Sequence, residues 1–525
     1  MKRRTFIKTA AATAAAAPIM LGGLPVHART SLEMLAQLPP GVNDNVLILA
    51  QLFGGNDGLN TVIPALDDEY YRIRPGIAVP KTDCWNKVGD IFLHPALALG
   101  SQGGAARMLE VGNLAIVRGV GYENPNLSHF RSTDIWLSGI NDSNPDRRLD
   151  TGWLGRYLEK QYPNFPASLP DHPLAIQFAG FGLALMGSKG RMGIEVNDPS
   201  LQRGVSSQLD TLDSASAGTA YAIEYDFIAD IAARSNKYAQ AVKDAYAAGK
   251  TQLKAGYASD SFSQQLAAVG ALLAGGLQTR VFVVSMGGFD THVTQQYEGN
   301  KGTHPSLLET FGDAISQLQN DLIRLGFADR VVGITISEFG RRPHENGSLG
   351  TDHGAASVQF VWGTKVNSGV YGKAPDLKNL DANGDITYDI DYREVYAEIL
   401  TDWFGLNTAD MREVLQKDDL TPLDVLQSPA SGVQENRTIA AGTGLRSYPN
   451  PFSTSATLEV QLASASDVRI DLASVDGARV ATLLNRHLDA GTHRVPVNVD
   501  LRSGTYICTM RTGGHTTSHV MQCVR

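Results

Sequence analysis

Polar residues capable of chemistry recur in this sequence where runs of apolar residues end. The run VLILAQLF, residues 46–53, is followed by GGND, which contains Asn56 and Asp57. A near-continuous apolar run is typical of a strand buried on both faces, and the carboxyl ends of parallel strands face a ligand crevice. We therefore expect Asp57 to bind a metal and Asn56 to help bind an anion. The alternative is an Asx-turn in which glycines supply positive φ.

A second apolar run, LAIVRGV, precedes a turn that contains Ser128, His129 and Arg131. A hydroxyl nucleophile needs a base or a metal to activate it, and the start of a helix favours an anion beside it. Ser128 is therefore a candidate nucleophile, His129 a candidate acid, base or ligand, and Arg131 a candidate anion clamp. The alternative is an ordinary capped helix with Ser128 or Asn126 as the N-cap.

A third run, RVFVVSM, precedes Asp290 and His292, and His304 follows at the start of a helix-like stretch. Carboxylates and imidazoles together suit a hard-to-borderline divalent ion. Histidines near helix starts are also common as plain surface residues, and His304 is open to that alternative.

A fourth run, RVVGITIS, precedes Glu338 and Arg341, and Asp352 and His353 follow shortly afterwards. The carboxyl ends of parallel strands lie at one edge of a sheet, so these groups should meet. The sequence thus predicts a carboxylate and histidine cleft for a divalent ion, with Arg341 able to hold phosphate or sulfate oxygens by bidentate hydrogen bonds.

The elements that position these residues alternate between strand-like runs and helix-like stretches, such as 261–277 and 307–325. This alternation predicts an α/β domain with a parallel sheet over residues 42–427. A Ser, Gly and Ala-rich linker is expected at 428–445. Short alternating runs then predict a small antiparallel β-sandwich at 446–525. Cys508 and Cys523 lie in its last two strand-like runs, so the sequence leaves open whether they form a disulfide, which would leave Cys84 unpaired.

The first 28 residues contain the three regions of an export signal in the usual order. Lys2-Arg3-Arg4-Thr-Phe-Ile-Lys8 is followed by an alanine-rich stretch and small Ala28. The paired arginines resemble the twin-arginine signal, which implies the twin-arginine translocase as a partner. No other segment is long and apolar enough to predict a transmembrane anchor. Removing residues 1–28 deletes four cations and no acids, so the formal charge changes from −9 to −13 and argues against a nucleic-acid partner.

Several motifs together resemble the bacterial family called domain of unknown function 1501. They are FGGNDGLNTVIP, LHPAL, GVGYENPNLSHFRSTDIW, GWLGRYL, GGFDTH, SEFGRR, GTDHG and DYREVYAEIL, in this order between residues 45 and 406. That family is related to the alkaline phosphatase and sulfatase superfamily. The resemblance implies a doubly wound, mostly parallel sheet of alkaline phosphatase-like type, with metal ions at the strand ends.

The resemblance also implies roles for individual residues. Asp57 falls at the place of the first aspartate ligand, Ser128 or Ser132 falls near the nucleophile loop, and Asp290 with His292 or His304 resembles the second ligand pair. In SEFGR, Glu338 stands for an aspartate and Phe339 for a missing histidine, with His353 as the last ligand. In an alternative register, Asp352 and His353 are themselves the aspartate–histidine pair. One or two zinc, manganese or calcium ions are expected.

Residues 446–525 resemble the C-terminal sorting domain of type IX secretion or its FlgD-like immunoglobulin relatives. The resemblance rests on SYPNPF, VDGARV, LDAGTHRV and LRSGTYICTM. It implies an immunoglobulin-like sandwich, type IX export machinery as a partner, and a mature protein in the periplasm, at the outer cell surface or outside the cell.

These expectations lead to an exported, metal-dependent hydrolase of phosphate or sulfate esters, acting on a small-molecule or glycan ester. With two ions, one would activate the serine or a water and the other would stabilise the leaving oxygen. The rival hypothesis is a surface or glycan-binding protein that keeps the fold without catalysis.

Overall fold

The computed structural model describes most of the chain in two compact units, Met1–Pro429 and Ala430–Arg525. In the first unit it describes residues 19–21, 24–26, 43–144, 146–178, 182–200, 238–297 and 300–427. In the second it describes 444–448, 456–462, 465–474, 479–497, 499, 501, 504–512 and 516–523. The arginine pair of the expected export signal and most of the expected linker lie outside the described residues. Ile19–Leu21 and Leu24–Val26 form a short antiparallel hairpin.

A nine-stranded sheet is the centre of the first unit, counted over its described residues. Strands β1 to β9 are Val46–Leu52, Leu114–Gly121, Ala175–Gln177, Ile194–Glu195, Val281–Met286, Val331–Ile336, Ser357–Trp362, Gly369–Tyr371 and Ile390–Asp391. Their order is β8-β2-β7-β6-β1-β5-β3-β4, and β9 pairs with β2. All of these pairs are parallel except those of β7, which is antiparallel to both β6 and β2. The predicted α/β class with a mostly parallel sheet is confirmed.

Helices cover both faces of this sheet. Helices α1 to α9 are Gly58–Thr61, Asp68–Ile73, Gly104–Glu110, His129–Ser138, Trp153–Gln161, Ser261–Ala274, Thr303–Leu325, Tyr392–Glu398 and Thr408–Leu415. The remaining short elements are the 3-10 helices Pro95–Ala98, Leu183–Leu185, Lys250–Gln252 and Ala328–Arg330, the π-helical turn Ile399–Trp403, and the two-residue strands Met186–Gly187, Gly190–Arg191, Gly340–Arg341 and His353–Gly354. None of the described helices is long and apolar enough to cross a membrane.

The apolar strands bury alternate side chains in two cores. Leu47 and Leu49 of β1 pack on the side of α4, α5 and α8, whereas Val46 and Ile48 pack on the side of α3, α6 and α7. Side chains alternate between the two faces of a strand, so a strand with helices on both faces must be apolar along nearly its whole length. The burial of β1 therefore explains the apolar run that precedes Asn56 and Asp57.

The second unit consists of antiparallel sheets. Strands β10 to β16 are Gly444–Tyr448, Ala456–Leu462, Ser466–Ser474, Arg479–Leu488, Gly491–Val497, Gly504–Arg511 and Thr516–Cys523. They form a three-stranded sheet, β10-β11-β14, and a four-stranded sheet, β13-β12-β15-β16. Residues of both sheets contribute to one apolar core.

The cysteines of the second unit do not form a disulfide. Cys508 and Cys523 are both free and buried. In the antiparallel pair of β15 and β16, Cys508 lies opposite His519, and Cys523 lies opposite Gly504. The two cysteines are therefore four residues out of register, about 14 Å along the strands at 3.4 Å per residue, which is beyond the span of a disulfide.

Candidate metal centre

The candidate site lies at one edge of the central sheet. Strands β1, β2, β5 and β6 run in the same direction, so the loops that follow them meet at their carboxyl ends. Strand β7 runs the opposite way and begins at this edge, which brings Asp352 and His353 to the same place. The loop after β2 leads into α4, whose first residue is His129.

The loops after β1 and β5 touch because Gly54 has no side chain. A Cβ atom on Gly54 would lie 2.2 Å from the main-chain nitrogen of Asp290, and the residue has φ of +124°. The main-chain N–H of Phe289 donates to the carbonyl of Phe53 at 3.1 Å. Only glycine combines this conformation with this close approach, so the GGND motif serves to bring Asp290 into the site.

Three imidazoles surround the carboxylate of Asp290. Its Oδ1 lies 3.1 Å from Nε2 of His292 and 3.2 Å from Nε2 of His353. Its Oδ2 lies 3.5 Å from Nε2 of His129. One ligand atom each from His129, Asp290 and His353 lies within 4.8 Å of the others, which makes these residues a possible metal-binding triad. Nε2 of His292 is a third nitrogen, 3.0 Å from Nε2 of His353, and would be a fourth ligand atom.

The opposite nitrogen of each imidazole is held by an oxygen. Nδ1 of His129 lies 2.8 Å from Oε1 of Glu338, and Nδ1 of His292 lies 3.1 Å from Oδ1 of Asp352. Nδ1 of His353 lies 2.9 Å from the carbonyl oxygen of Leu127. Metal-binding histidines usually donate their other N–H to a carboxylate or a carbonyl, which fixes the ring and its tautomer.

The tautomers that these contacts impose favour a cation. A carbonyl only accepts, so Nδ1 of His353 carries the proton, and Nε2 of the neutral ring has a bare lone pair. The same argument applies to His129 and His292, whose Nδ1 atoms face carboxylates. Three lone pairs therefore converge on the carboxylate of Asp290. The lone pairs and the carboxylate repel one another unless a proton or a metal ion lies between them. The donor set, three imidazoles and one carboxylate, suits a zinc-like ion.

Aromatic rings hold two of the histidines from behind. The buried ring of Phe339 lies with its centroid 4.9 Å from that of His129 and 4.3 Å from that of His353. The partly exposed ring of Phe53 lies with its centroid 5.5 Å from that of His129. Phe339, expected to mark a missing histidine ligand, thus packs under the imidazoles and limits their rotation.

Arg341 neutralises Asp290 from the protein side. Burial tends to raise the pKa of Asp290, but the hydrogen bond and the positive charge of Arg341 lower it to about 2. The Arg341 guanidinium lies 2.6 Å from Oδ1 of Asp290 and also donates to the carbonyls of Gly55 at 2.9 Å and Thr351 at 2.8 Å. Arg341 is itself buried. It therefore ties the loops together, in contrast to the expected contact with a substrate anion.

Glu338 and Asp352 lie behind the histidines. Burial raises the pKa of Glu338, although its contact with His129 opposes this shift. Its Oε1 also accepts the main-chain N–H of Gly54 at 2.8 Å, and its buried Oε2 has no hydrogen-bond partner among the described residues. The pKa of Asp352 is lowered, mainly by the side-chain hydrogen bond from Asn346.

Asp57, Asn56 and His304 lie in a separate, buried group of polar side chains, which we call the Asp57 network. Its members are Asn56, Asp57, Asn60, Arg74, His94, Gln295, Gln296 and His304, all at most 2% exposed. Arg74 donates to Asp57 through Nη1 at 2.5 Å and Nη2 at 3.0 Å. Nε2 of His304 lies 3.0 Å from Oδ1 of Asn56. The carboxylate expected as the first metal ligand is therefore paired with an arginine.

Burial governs ionisation in the Asp57 network. Burial tends to raise the pKa of Asp57, but the charge and hydrogen bonds of Arg74 lower it below its usual value. Burial lowers the pKa of His304 to about 3 and that of His94 to about 4. The network therefore contains one anion, one cation and two neutral imidazoles at neutral pH.

The remaining predicted residues lie near the start of α4. Ser128 is exposed and makes no side-chain hydrogen bond to the first turn of the helix. Ser132 is buried, and its hydroxyl bonds to the hydroxyl of Tyr122 at 2.6 Å and to the carbonyl of Glu338. The Arg131 guanidinium donates to the carbonyl of Arg147 at 2.8 Å and through Nε to that of Asp142 at 2.8 Å.

Three residues of the site environment were not predicted. Arg74 lies in YYRIRPG, and its partner Asp57 is 17 positions earlier in the sequence. No local periodic pattern connects two residues so far apart. Gln295 lies three residues after His292, and only its closeness to GGFDTH marks it. Phe53 ends an apolar run and was indistinguishable from a core residue of that strand.

Two family profiles match the chain. Residues 446–522 match the Secretion system C-terminal sorting domain. This tail indicates type IX secretion to the cell surface or the extracellular space, as the sequence predicts. None of the curated proteins compared with the chain is significantly similar to it.

Several solved structures match the chain with little sequence identity. A Bacteroides thetaiotaomicron protein described in connection with glycosaminoglycan metabolism is 10% identical, with 85% of this chain and 90% of that chain covered and a TM-score of 0.32. A protein of the alkaline phosphatase superfamily from Vibrio parahaemolyticus is 7% identical, with 96% and 92% covered and a TM-score of 0.30. A sulfatase from Pseudoalteromonas sp. is 9% identical, with 86% and 83% covered and a TM-score of 0.30.

The other profile covers most of the first unit. Residues 45–417 match the family described as Protein of unknown function (DUF1501), a range that contains every strand from β1 to β9 and all the histidines of the candidate centre. The chain belongs to the DUF1501 family.

Proposed function

We propose that the chain is an exported metal-dependent hydrolase that holds one divalent ion with His129, Asp290, His292 and His353. One observation carries the proposal: three imidazole Nε2 atoms face one carboxylate while each Nδ1 is held by an oxygen. Zinc is the ion that this donor set fits best, and manganese the next.

A divalent ion in such a site supplies Lewis-acid chemistry, because it polarises an ester oxygen and lowers the pKa of water. The protein contributes the orientation of the ligands. Glu338, Asp352 and the carbonyl of Leu127 keep the histidines in the tautomer that presents Nε2. Arg341 keeps Asp290 ionised, with a pKa of about 2, so the carboxylate is a ligand at any physiological pH.

The start of α4 is the part of the site that favours an anionic ester. The first-turn N–H groups of a helix attract anions, and Ser128 leaves them without a side-chain cap. The exposed hydroxyl of Ser128 precedes His129 in the chain and is our candidate nucleophile. We therefore assign phosphate or sulfate esters as the substrate class. The doubly wound sheet of alkaline phosphatase-like type and the immunoglobulin-like form of the second unit are part of this proposal, as is export by the twin-arginine translocase.

One observation favours the rival function, a non-catalytic surface or glycan-binding protein. Both arginines that were expected to hold a substrate anion donate instead to main-chain carbonyls. A site without catalysis needs no such clamp.

The two functions are separated by an activity screen on the full chain. Aryl phosphates and aryl sulfates are offered to chelator-treated protein and to protein reloaded with zinc or manganese. We expect hydrolysis only in the reloaded sample, and loss of it in His129→Ala. The matched control is His487→Ala, because His487 also pairs with a carboxylate, Asp467 at 2.8 Å, but lies in the second unit. A reloaded wild type that hydrolyses none of the esters favours the binding protein.

A further inference from the structure

Gln295 connects the two loops that supply metal ligands. Its Oε1 accepts from the hydroxyl of Thr291 at 2.9 Å and from that of Thr351 at 2.6 Å. Thr291 lies between Asp290 and His292, and Thr351 lies directly before Asp352. A single amide oxygen thus joins both loops from their buried side.

The same side chain anchors the loops to Asp57. Nε2 of Gln295 donates to Oδ2 of Asp57 at 2.5 Å. The main-chain N–H of Gln295 donates to the carbonyl of Leu349 at 2.8 Å, and that of Thr351 to the carbonyl of Thr291 at 3.2 Å. The loops are therefore held to each other and to the carboxylate by a continuous set of hydrogen bonds.

Hydrogen-bond donors of the protein occupy both carboxylate oxygens of Asp57, so neither oxygen is available to bind a metal ion. Both of its oxygens face the Arg74 guanidinium, and Oδ1 also accepts the N–H of Leu59 at 3.1 Å. Arg74 is held in turn by the carbonyl of Pro343 at 2.7 Å. The side chains of Asp57 and Arg74 are both 0% exposed. A metal ion at Asp57 would have to displace a buried arginine and leave its charge uncompensated, which is costly.

We propose that Gln295 is a positioning residue for the metal centre, and that Arg74 supplies the positive charge that a second ion would otherwise supply to Asp57. The centre then holds a single ion, and the Asp57 network sets the spacing of the loops around it. This inference rests on the proposed metal-binding function.

The test measures zinc affinity and stoichiometry on the full chain by competition with a chromogenic chelator. Gln295→Met removes both sets of hydrogen bonds at similar side-chain volume. Its matched control is Gln359→Met on β7, because Gln359 is also buried and its amide makes no hydrogen bond within the described part of the chain. We expect one zinc per chain in all three proteins and an affinity about 10- to 100-fold weaker in Gln295→Met only, as found for groups that support metal ligands.

Thr351→Val is the second variant if Gln295→Met does not fold, since it removes one of the two bonds to Oε1 with little change of shape. We expect it to weaken zinc binding by a smaller factor. Equal affinities in the wild type and in whichever of the two variants folds overturn the role of Gln295. Two zinc ions in the wild type, with one lost in Asp57→Asn, overturn the role of Arg74. A wild type that binds no zinc contradicts the proposed function itself.

Discussion

The Nε2 atoms of His292 and His353 lie 3.0 Å apart. Each Nδ1 is committed to an oxygen, Asp352 for His292 and the Leu127 carbonyl for His353. Two imidazole lone pairs at this distance need a cation between them. Such a cation is either a proton or a metal ion, and the metal ion is the one that we propose.

Glu338→Gln should weaken metal binding without abolishing it. The amide keeps the shape of the side chain but removes the negative charge that orients Nδ1 of His129 at 2.8 Å. Loss of such a group typically costs 10- to 100-fold in metal affinity. Zinc titration of the two proteins at pH 7 measures the change, and an unaltered affinity would show that Glu338 does not orient the ligand.

Alanine substitutions of the two candidate serines should have different effects on stability and on ester hydrolysis. Ser132→Ala removes the bonds to Tyr122 and to the Glu338 carbonyl, so the free energy of unfolding should fall by about 1–3 kcal/mol. Ser128→Ala should leave stability unchanged, because Ser128 is exposed, and should lower ester hydrolysis at least tenfold. Denaturant unfolding and initial rates check both statements. Full activity in Ser128→Ala would exclude it as the nucleophile.

Acid should destabilise the first unit through its buried histidines. His304 and His94 have pKa values lowered to about 3 and 4, against about 6.5 in an unfolded chain. Below pH 6.5 the unfolded state takes up protons that the folded state does not, so stability is highest above this pH and falls until the folded pKa values are reached. Between pH 7 and pH 5 each histidine should lower the free energy of unfolding by about 2 kcal/mol.

Tryptophan fluorescence during urea unfolding measures this effect in the first unit, since all five tryptophans precede residue 430. His304→Gln should show a smaller fall between pH 7 and pH 5 than the wild type. Equal pH dependence in both proteins would contradict the assignment.

The substitution Gly54→Ala should disturb the site more than the same substitution at another glycine with positive φ. Its Cβ would lie 2.2 Å from the nitrogen of Asp290, whereas a Cβ at Gly112, which also has positive φ, meets no atom within 4 Å. Gly112→Ala is thus the control for conformational strain alone, about 1–2 kcal/mol. We expect Gly54→Ala to lose more stability than this and to bind zinc more weakly. Equal losses in the two variants would show that the close approach is unimportant.

Arg74→Met should be among the most damaging single substitutions in the first unit. It leaves the buried carboxylate of Asp57 without its cation, which typically costs about 3–5 kcal/mol. The double variant Arg74→Met, Asp57→Asn should recover part of this loss, because the uncompensated charge is removed. Urea unfolding of the single and double variants gives the coupling energy, and strictly additive losses would contradict the pairing.

The sequence predicts the strands and the edge of the sheet well because a strand buried on both faces is a continuous run of apolar residues. The apolar runs before Asp57, Asp290 and Glu338 are β1, β5 and β6 of the mostly parallel sheet. The parallel directions of these strands follow from their alternation with helices. The positions of the candidate site residues along the chain were therefore accessible from pattern alone.

The sequence does not reveal which polar residues at this edge face the solvent and which face the interior. Asp57 and Asp290 follow neighbouring strands, yet Asp57 is fully buried and Asp290 is about half exposed. Each carboxylate is paired with a buried arginine, Arg74 for Asp57 and Arg341 for Asp290, which lie 17 and 51 positions away in the sequence. Hydrogen bonds between residues far apart in sequence have no periodicity, so no local pattern predicts them.

The metal content of the full chain tests the account most directly. Protein refolded or purified with excess zinc is dialysed against metal-free buffer and analysed for zinc per chain, beside the double variant His292→Ala, His353→Ala. We predict one zinc per chain in the wild type and less than a tenth of that in the variant, with the fold of both retained by circular dichroism. A folded wild type without zinc after this treatment would contradict the metal centre and leave the three histidines to be explained as a protonated cluster.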